Sequence, residues 1–146
     1  MARRKAFTLL ELVVVLALAG ILVALVAPSF SRTIASARIR SAASAVRGTF
    51  AKARALAVAG ARVRSVTFDR ESGEYGIDND AVRRLPESIR FGTFGDASAR
   101  DVGGPVKVRF FADGSAEEVV VRITAEDGGT LTVTVEPLTG IAEAGT

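Results

Sequence analysis

The segment from Phe7 to Ala27, FTLLELVVVLALAGILVALVA, constrains this chain more than any other. It supplies about the ~20 apolar residues that carry a helix across a bilayer, and its only charge is Glu11. A short basic stretch, Met1-Ala2-Arg3-Arg4-Lys5-Ala6, precedes it. A cleaved secretory signal has a short apolar centre and a small-x-small cleavage site, and Ala17-Leu18-Ala19 offers such a site. Against that reading, Glu11 would stand inside the apolar centre, and the run continues well past Ala19. A later cut after Ala27 would set Pro28 beside the scissile bond. An ordinary anchor accommodates the length but gives Glu11 no purpose. A carboxylate in hydrocarbon is costly or neutralises itself, so an intramembrane Glu is a functional position by default.

The residues around Glu11 carry a resemblance. Lys5-Ala6-Phe7-Thr8-Leu9-Leu10-Glu11 followed by an apolar helix resembles the leader and N-terminus of type IV pilins and of type II secretion pseudopilins. The resemblance implies a leader over residues 1–6, with Arg3, Arg4 and Lys5 as its basic residues. It implies cleavage by a prepilin peptidase between Ala6 and Phe7, then N-methylation of Phe7. Glu11 becomes the fifth residue of the mature chain and the filament-assembly residue, and Pro28 falls where the family commonly has a proline. Ala6 departs from the Gly that the family usually has before the cut. The physics of Glu11 fits: cleavage frees an α-amine that is cationic at neutral pH. That amine and Glu11 are each costly alone in a low-dielectric layer and relieved by pairing. A subunit entering a filament can offer Glu11 to a neighbour's Phe7 amine, which sets axial register while apolar faces supply adhesion.

Charge is distributed unevenly. The net charge of +3 comes from nineteen basic and sixteen acidic residues, and loss of Arg3, Arg4 and Lys5 leaves the chain neutral. Eight basic and no acidic residues lie between Ser29 and Phe68, whereas fifteen acidic residues face eight basic ones from Asp69 onward. A basic segment can attract nucleic acid or anionic lipid. Packing of one subunit's basic helix against a neighbour's acidic head accounts for the same pattern and is favoured. The positive-inside rule places Arg3, Arg4 and Lys5 in the cytoplasm, but Arg32, Arg38, Arg40 and Arg47 crowd the other flank. It is therefore the resemblance that implies a single-pass inner-membrane protein with its head in the periplasm.

Beyond Pro28 the pattern stays helical. Ile39, Ala43, Val46, Phe50, Ala53 and Ala57 recur at alternating spacings of four and three, one apolar stripe suited to docking a sheet. Arg40, Arg47 and Arg54 run beside it, and Gly60 is the expected stop. The period then changes to two. Strands are expected at Arg62–Phe68, Glu74–Ile77, Leu85–Phe91 (an edge, given Pro86), Val106–Phe111, Val119–Thr124 and Thr130–Glu136. Asp69-Arg70-Glu71-Ser72-Gly73, Asp113-Gly114 and Asp127-Gly128-Gly129 read as turns. Thr93–Pro105 reads as a mobile loop and Ile141–Thr146 as frayed. The expected fold is α+β and pilin-like: a long N-terminal helix, its first half transmembrane, packed on one antiparallel meander. The segments are a leader at 1–6, a filament-core helix at 7–27, its amphipathic continuation at 28–60 and a β-rich head at 61–146.

The head narrows the resemblance. Phe110-Phe111-Ala112-Asp113-Gly114-Ser115, the later Leu138-Thr139-Gly140 and the Leu85-Pro86 pair are similar to the GspH/FimT type of minor pseudopilin. That implies a structural subunit of a type II secretion pseudopilus, partnered by other major and minor pseudopilins. The alternative is a minor pilin of a type IV pilus that binds DNA for uptake. In that branch a basic chain end is expected, since phosphate contacts need Lys or Arg. Here Gly140 is followed by Ile141-Ala142-Glu143-Ala144, which counts against DNA. Cysteine, histidine and tryptophan are absent, which excludes Cys/His metal sites, thiol chemistry and His-dependent triads. No motif places a base beside a nucleophile, so no enzyme is expected. Asp78, Asp80, Asp96 and Asp101 have oxygen ligands suited to a hard cation, but their spacing matches no cation motif. They read as solvated carboxylates, and no metal or cofactor is expected.

Overall fold

The computed structural model describes residues 8–78, 80–95 and 104–145, with the backbone alone at 24–33. It is α+β, a helix followed by antiparallel sheet, and it divides into two compact units, Met1–Ile34 and Ala35–Thr146. One helix, α1 (Leu9–Ala59), contributes to both and is continuous across Gly20 and Pro28. In the first unit the described apolar side chains from Leu9 to Val23 are exposed, Leu9 at 80% and Val15 at 51%. In the second, the expected stripe of Ile39, Ala43, Val46, Phe50, Ala53 and Ala57 is buried. Small residues at Ala43, Ala53 and Ala57 let the strands approach the helix closely, and Phe50 fills the space between them.

The helix ends as expected in place but not in mechanism. The Gly60 N–H donates to the Leu56 carbonyl at 3.0 Å, the Ala61 N–H to Val58 at 3.2 Å and the Arg62 N–H to Ala57 at 3.2 Å. That is the Schellman pattern, whose left-handed residue is usually glycine. Here Ala61 takes it, at φ 45°.

Among the described residues eight strands follow: β1 (Arg64–Phe68), β2 (Glu74–Ile77), β3 (Arg83–Arg84), β4 (Ile89–Gly95), β5 (Val106–Phe110), β6 (Val119–Ala125), β7 (Thr130–Val135) and β8 (Ala142–Gly145). They form two four-stranded sheets rather than one meander, in the orders β3-β2-β1-β5 and β4-β6-β7-β8. All pairings are antiparallel. The chain changes sheet between β3 and β4, goes back between β4 and β5 and changes again between β5 and β6, so alternation within each strand could not reveal which strands pair.

Three local expectations are corrected. Leu85-Pro86 is not a strand entrance: Pro86 has no N–H for a ladder, and its carbonyl accepts from the Ile89 N–H at 2.9 Å in the turn between β3 and β4. Thr93 to Gly95 belongs to β4 rather than to a loop. Phe91 pairs with Ile123 but Phe94 with Val121, so β4 carries one extra residue. Such a bulge re-aims side chains, and here it turns both Phe91 and Phe94 inward. Residues 96–103 of the expected loop lie outside the described residues. Finally, Ala142–Gly145 is not frayed but pairs with β7 from Val135↔Ala142 to Thr132↔Gly145.

The core lies between the helix and the two sheets. The Phe68 ring, from β1, is 5.5 Å from Phe50 of the helix, 5.3 Å from Phe91 and 5.5 Å from Phe94 of β4. Phe50 also meets Phe110 of β5 at 5.7 Å. One aromatic cluster therefore joins all three layers, each tilted or edge-on pair adding about 0.5–1.5 kcal/mol beyond its buried area.

Candidate assembly site

Glu11 stands in the first turn of α1. Thr8 caps that turn: its Oγ1 accepts from the Glu11 N–H at 3.3 Å, and its carbonyl accepts from the Leu12 N–H at 3.2 Å. Thr8-x-x-Glu11 is thus the spacing of a capping box, with Glu11 at the third helical position. The sequence displays that signal, and a reading directed at membrane cost passes over it. A carboxylate there also faces the positive end of the helix dipole. Glu11 is exposed, ringed by exposed Leu9, Leu10, Leu12, Val14 and Val15. Among the described residues nothing donates to its carboxylate. A lone carboxylate on an apolar helix end is chemically suited to receive a cation brought by another chain.

Arg3, Arg4, Lys5, Ala6 and Phe7 lie outside the described residues, so Glu11 alone of the expected site residues has a described position. Among the described residues no helix is long and apolar enough to cross a membrane. Described side chains of the apolar run stop at Val23, so the Phe7–Ala27 span extends beyond them at both ends.

The head motifs meet at Arg54, a contact that the sequence does not announce. Its Nε–H is shared between the Gly114 carbonyl at 3.1 Å and the Thr139 carbonyl at 2.6 Å. A Cβ on Gly140 would stand 2.4 Å from the Gly114 carbonyl oxygen, and Gly140 itself has φ +62°. Around this point Asp113 accepts from the Ser115 N–H at 3.0 Å and the Ser115 hydroxyl at 2.6 Å. The Ala116 N–H donates to Pro137 at 2.8 Å and the Gly140 N–H to Glu136 at 2.8 Å. Phe110–Ser115 and Leu138–Gly140 are therefore one junction, pinned to the helix by a guanidinium.

The aspartates considered for a cation have other work. Asp78 accepts from the Ser65 N–H at 3.1 Å, and Asp80 pairs with Lys52. The Lys52 hydrogen bond, followed by one from the Ala81 N–H, holds the Asp80 carboxyl below the usual range. Asp96 and Asp101 lie outside the described residues. Among the described residues no three His, Cys, Asp or Glu side chains gather to hold a metal.

Comparison with known proteins bears on the N-terminus. Residues 1–27 match the family model of the prokaryotic N-terminal methylation motif. That motif indicates a type IV pilin-like protein, with processing by a prepilin peptidase and assembly with other pilin subunits. It also suggests anchoring through the N-terminal helix. No curated protein and no solved structure matches the chain.

Proposed function

We propose that this chain is a structural minor pseudopilin of the GspH/FimT type, a subunit of a type II secretion pseudopilus and not an enzyme. The observation that carries the reading is the methylation motif at residues 1–27 running directly into a helix that continues to Ala59 and docks a β-rich head. The segment after Thr8 offers apolar surface for adhesion and Glu11 for register. Cleavage between Ala6 and Phe7 supplies the amine that pairs with a neighbour's Glu11. The head stands in the periplasm, with α1 entering the inner membrane once. Major and minor pseudopilins are the partners.

Glu11→Leu tests the mechanism. Insertion should be unchanged or improved, because a desolvation cost disappears. Incorporation should fall, because the Phe7 amine loses its partner. Crosslinking to neighbouring subunits is the readout, and wild-type yields in Glu11→Leu would remove Glu11 from assembly.

A second reading, a DNA-capturing minor pilin, draws on Arg38, Arg40 and Arg47, which are exposed on the helix. Against it, Arg54 of the same row is committed to two carbonyls, and β8 brings Glu143 rather than a cation to the edge of its sheet.

A further inference from the structure

A sheet edge leaves backbone N–H and C=O groups open to another strand, and folded proteins close their edges with short strands, bulges, charges or covering segments. Among the described residues, three of the four edges of the two sheets carry such a device. β3 has two residues, both exposed arginines. Residues 81–82 cover β2 beyond it, since a Cβ on Gly76 would stand 3.3 Å from the Val82 Cα. β4 carries its bulge between Phe91 and Phe94. Along β5, the Arg109 N–H donates to Glu117 Oε2 at 3.0 Å, and the Arg109 carbonyl accepts from the Glu117 N–H at 2.9 Å.

β8 has none of these. The Glu136 N–H donates to the Ile141 carbonyl at 2.9 Å, so in the alternation of an antiparallel ladder Glu143 and Gly145 are the residues bonded to β7. The N–H and carbonyl groups of Ala142 and Ala144 therefore face away from the sheet. Among the described residues they have no hydrogen-bond partner. Glu143, Ala144 and Gly145 are exposed, so no described segment covers them. Ala144 stands opposite the fully buried Val133, and the core-facing side of the sheet ends there on an exposed methyl group. On the outer face, Glu143 has no ion-pair partner among the described residues.

We propose that β8 receives an extended segment of a different pilin-like subunit as a fifth strand of the second sheet, an inference that rests on the pseudopilin reading. Main-chain bonds to Ala142 and Ala144 supply the attachment, and the side chains beside them supply the choice of partner. Glu143 excludes a second copy of this chain. Twofold pairing of β8 with itself would bond Ala142 to Ala144 and set Glu143 against its own copy, and like charges directly opposite one another destabilise a strand pair. A strand with Lys or Arg opposite Glu143 is attracted instead, and an apolar side chain beside Ala144 continues the core-facing surface past Val133. So few bonds hold separate molecules weakly. The contact forms once the N-terminal helices bring the two subunits to high effective concentration.

The test uses the full-length chain in cells that carry its partner subunits. A photoreactive benzophenone side chain in place of Ile141, half exposed beside this edge, captures the docked strand. The same group in place of Leu16 reports helix assembly. The expected Ile141 adduct contains a Lys- or Arg-bearing peptide from the head of another subunit that has an N-terminal methylation motif. Its yield should fall roughly tenfold in Ala144→Pro, which removes an outward N–H at an edge position that tolerates proline. It should fall roughly threefold in Glu143→Lys, which leaves the backbone intact. Leu16 adducts should be unchanged in both variants. No Ile141 adduct, an adduct with this chain itself or with a protein lacking the motif, or a yield indifferent to both substitutions would overturn the docking proposal. The filament reading would stand in those cases as long as the Leu16 adducts form, and their loss from the chain without these two substitutions would overturn both.

Discussion

Gly140 holds φ +62° a short step from the Gly114 carbonyl oxygen, so any side chain there meets both a strained backbone and a clash. Gly140→Ala should cost about 2 kcal/mol or more, lowering the melting temperature by roughly 8 °C or more in a unit of this size, as thermal denaturation would read. Arg54 shares the junction, and its two carbonyl bonds join residues 60 and 85 positions away in sequence. Glycines and turn residues mark both motifs in the sequence, but nothing periodic connects them to a helical arginine. That link is tertiary and is not legible in the sequence. At Glu11 the opposite holds. Its isolation in an apolar run and its distance from Phe7 are both local patterns, as is the Thr8 cap, so the position proposed for assembly is one that local pattern alone displays.

Elements are legible where a single period runs uninterrupted. The buried stripe of α1 and the strands β1, β2, β5, β6 and β7 stand close to their expected bounds. β4 outruns its expected end because its bulge breaks the alternation between Phe91 and Phe94. β8 gives no signal because Ala142 to Gly145 has no strand-forming side chain and owes its conformation to the β7 edge. The turns carry a pH signature. Hydrogen bonds from Ser72 and Glu71 lower the Asp69 carboxyl, those from Ser115 lower Asp113, and Lys52 foremost lowers Asp80. A carboxyl lowered by folding contributes stability that is full above the unfolded-state value and lost as pH falls through the folded one. The head should therefore keep its melting temperature from neutrality down to the upper edge of the aspartate range and lose stability below it. Asp69→Asn/Asp113→Asn should flatten that acid limb. An unchanged limb in the double variant would show that these turns contribute nothing to it.

The whole molecule combines two units with different needs. The core of Ala35–Thr146 is closed by Phe50, Phe68, Phe91, Phe94 and Phe110 without a disulfide, whereas the described apolar side chains of the first unit are uncovered. A fragment beginning at Ser29 should accordingly be soluble, folded and monomeric. It should bind duplex DNA only non-specifically, with affinity falling steeply as salt rises. Submicromolar, salt-resistant binding in an anisotropy titration would favour the DNA-uptake reading instead. Charge division between helix and head is visible in the sequence, but the division into two sheets is not, because strand order is settled by long-range pairing rather than by any segment's own pattern. The central claim, that the N-terminal segment is an assembly helix released from a leader, is tested most directly by mass spectrometry of the mature N-terminus. The account predicts a chain that begins at Phe7 with one methyl group on its α-amine. A chain that begins at Gly20, as a secretory signal cut after Ala17-Leu18-Ala19 would leave, would lack both Phe7 and Glu11 and would contradict it.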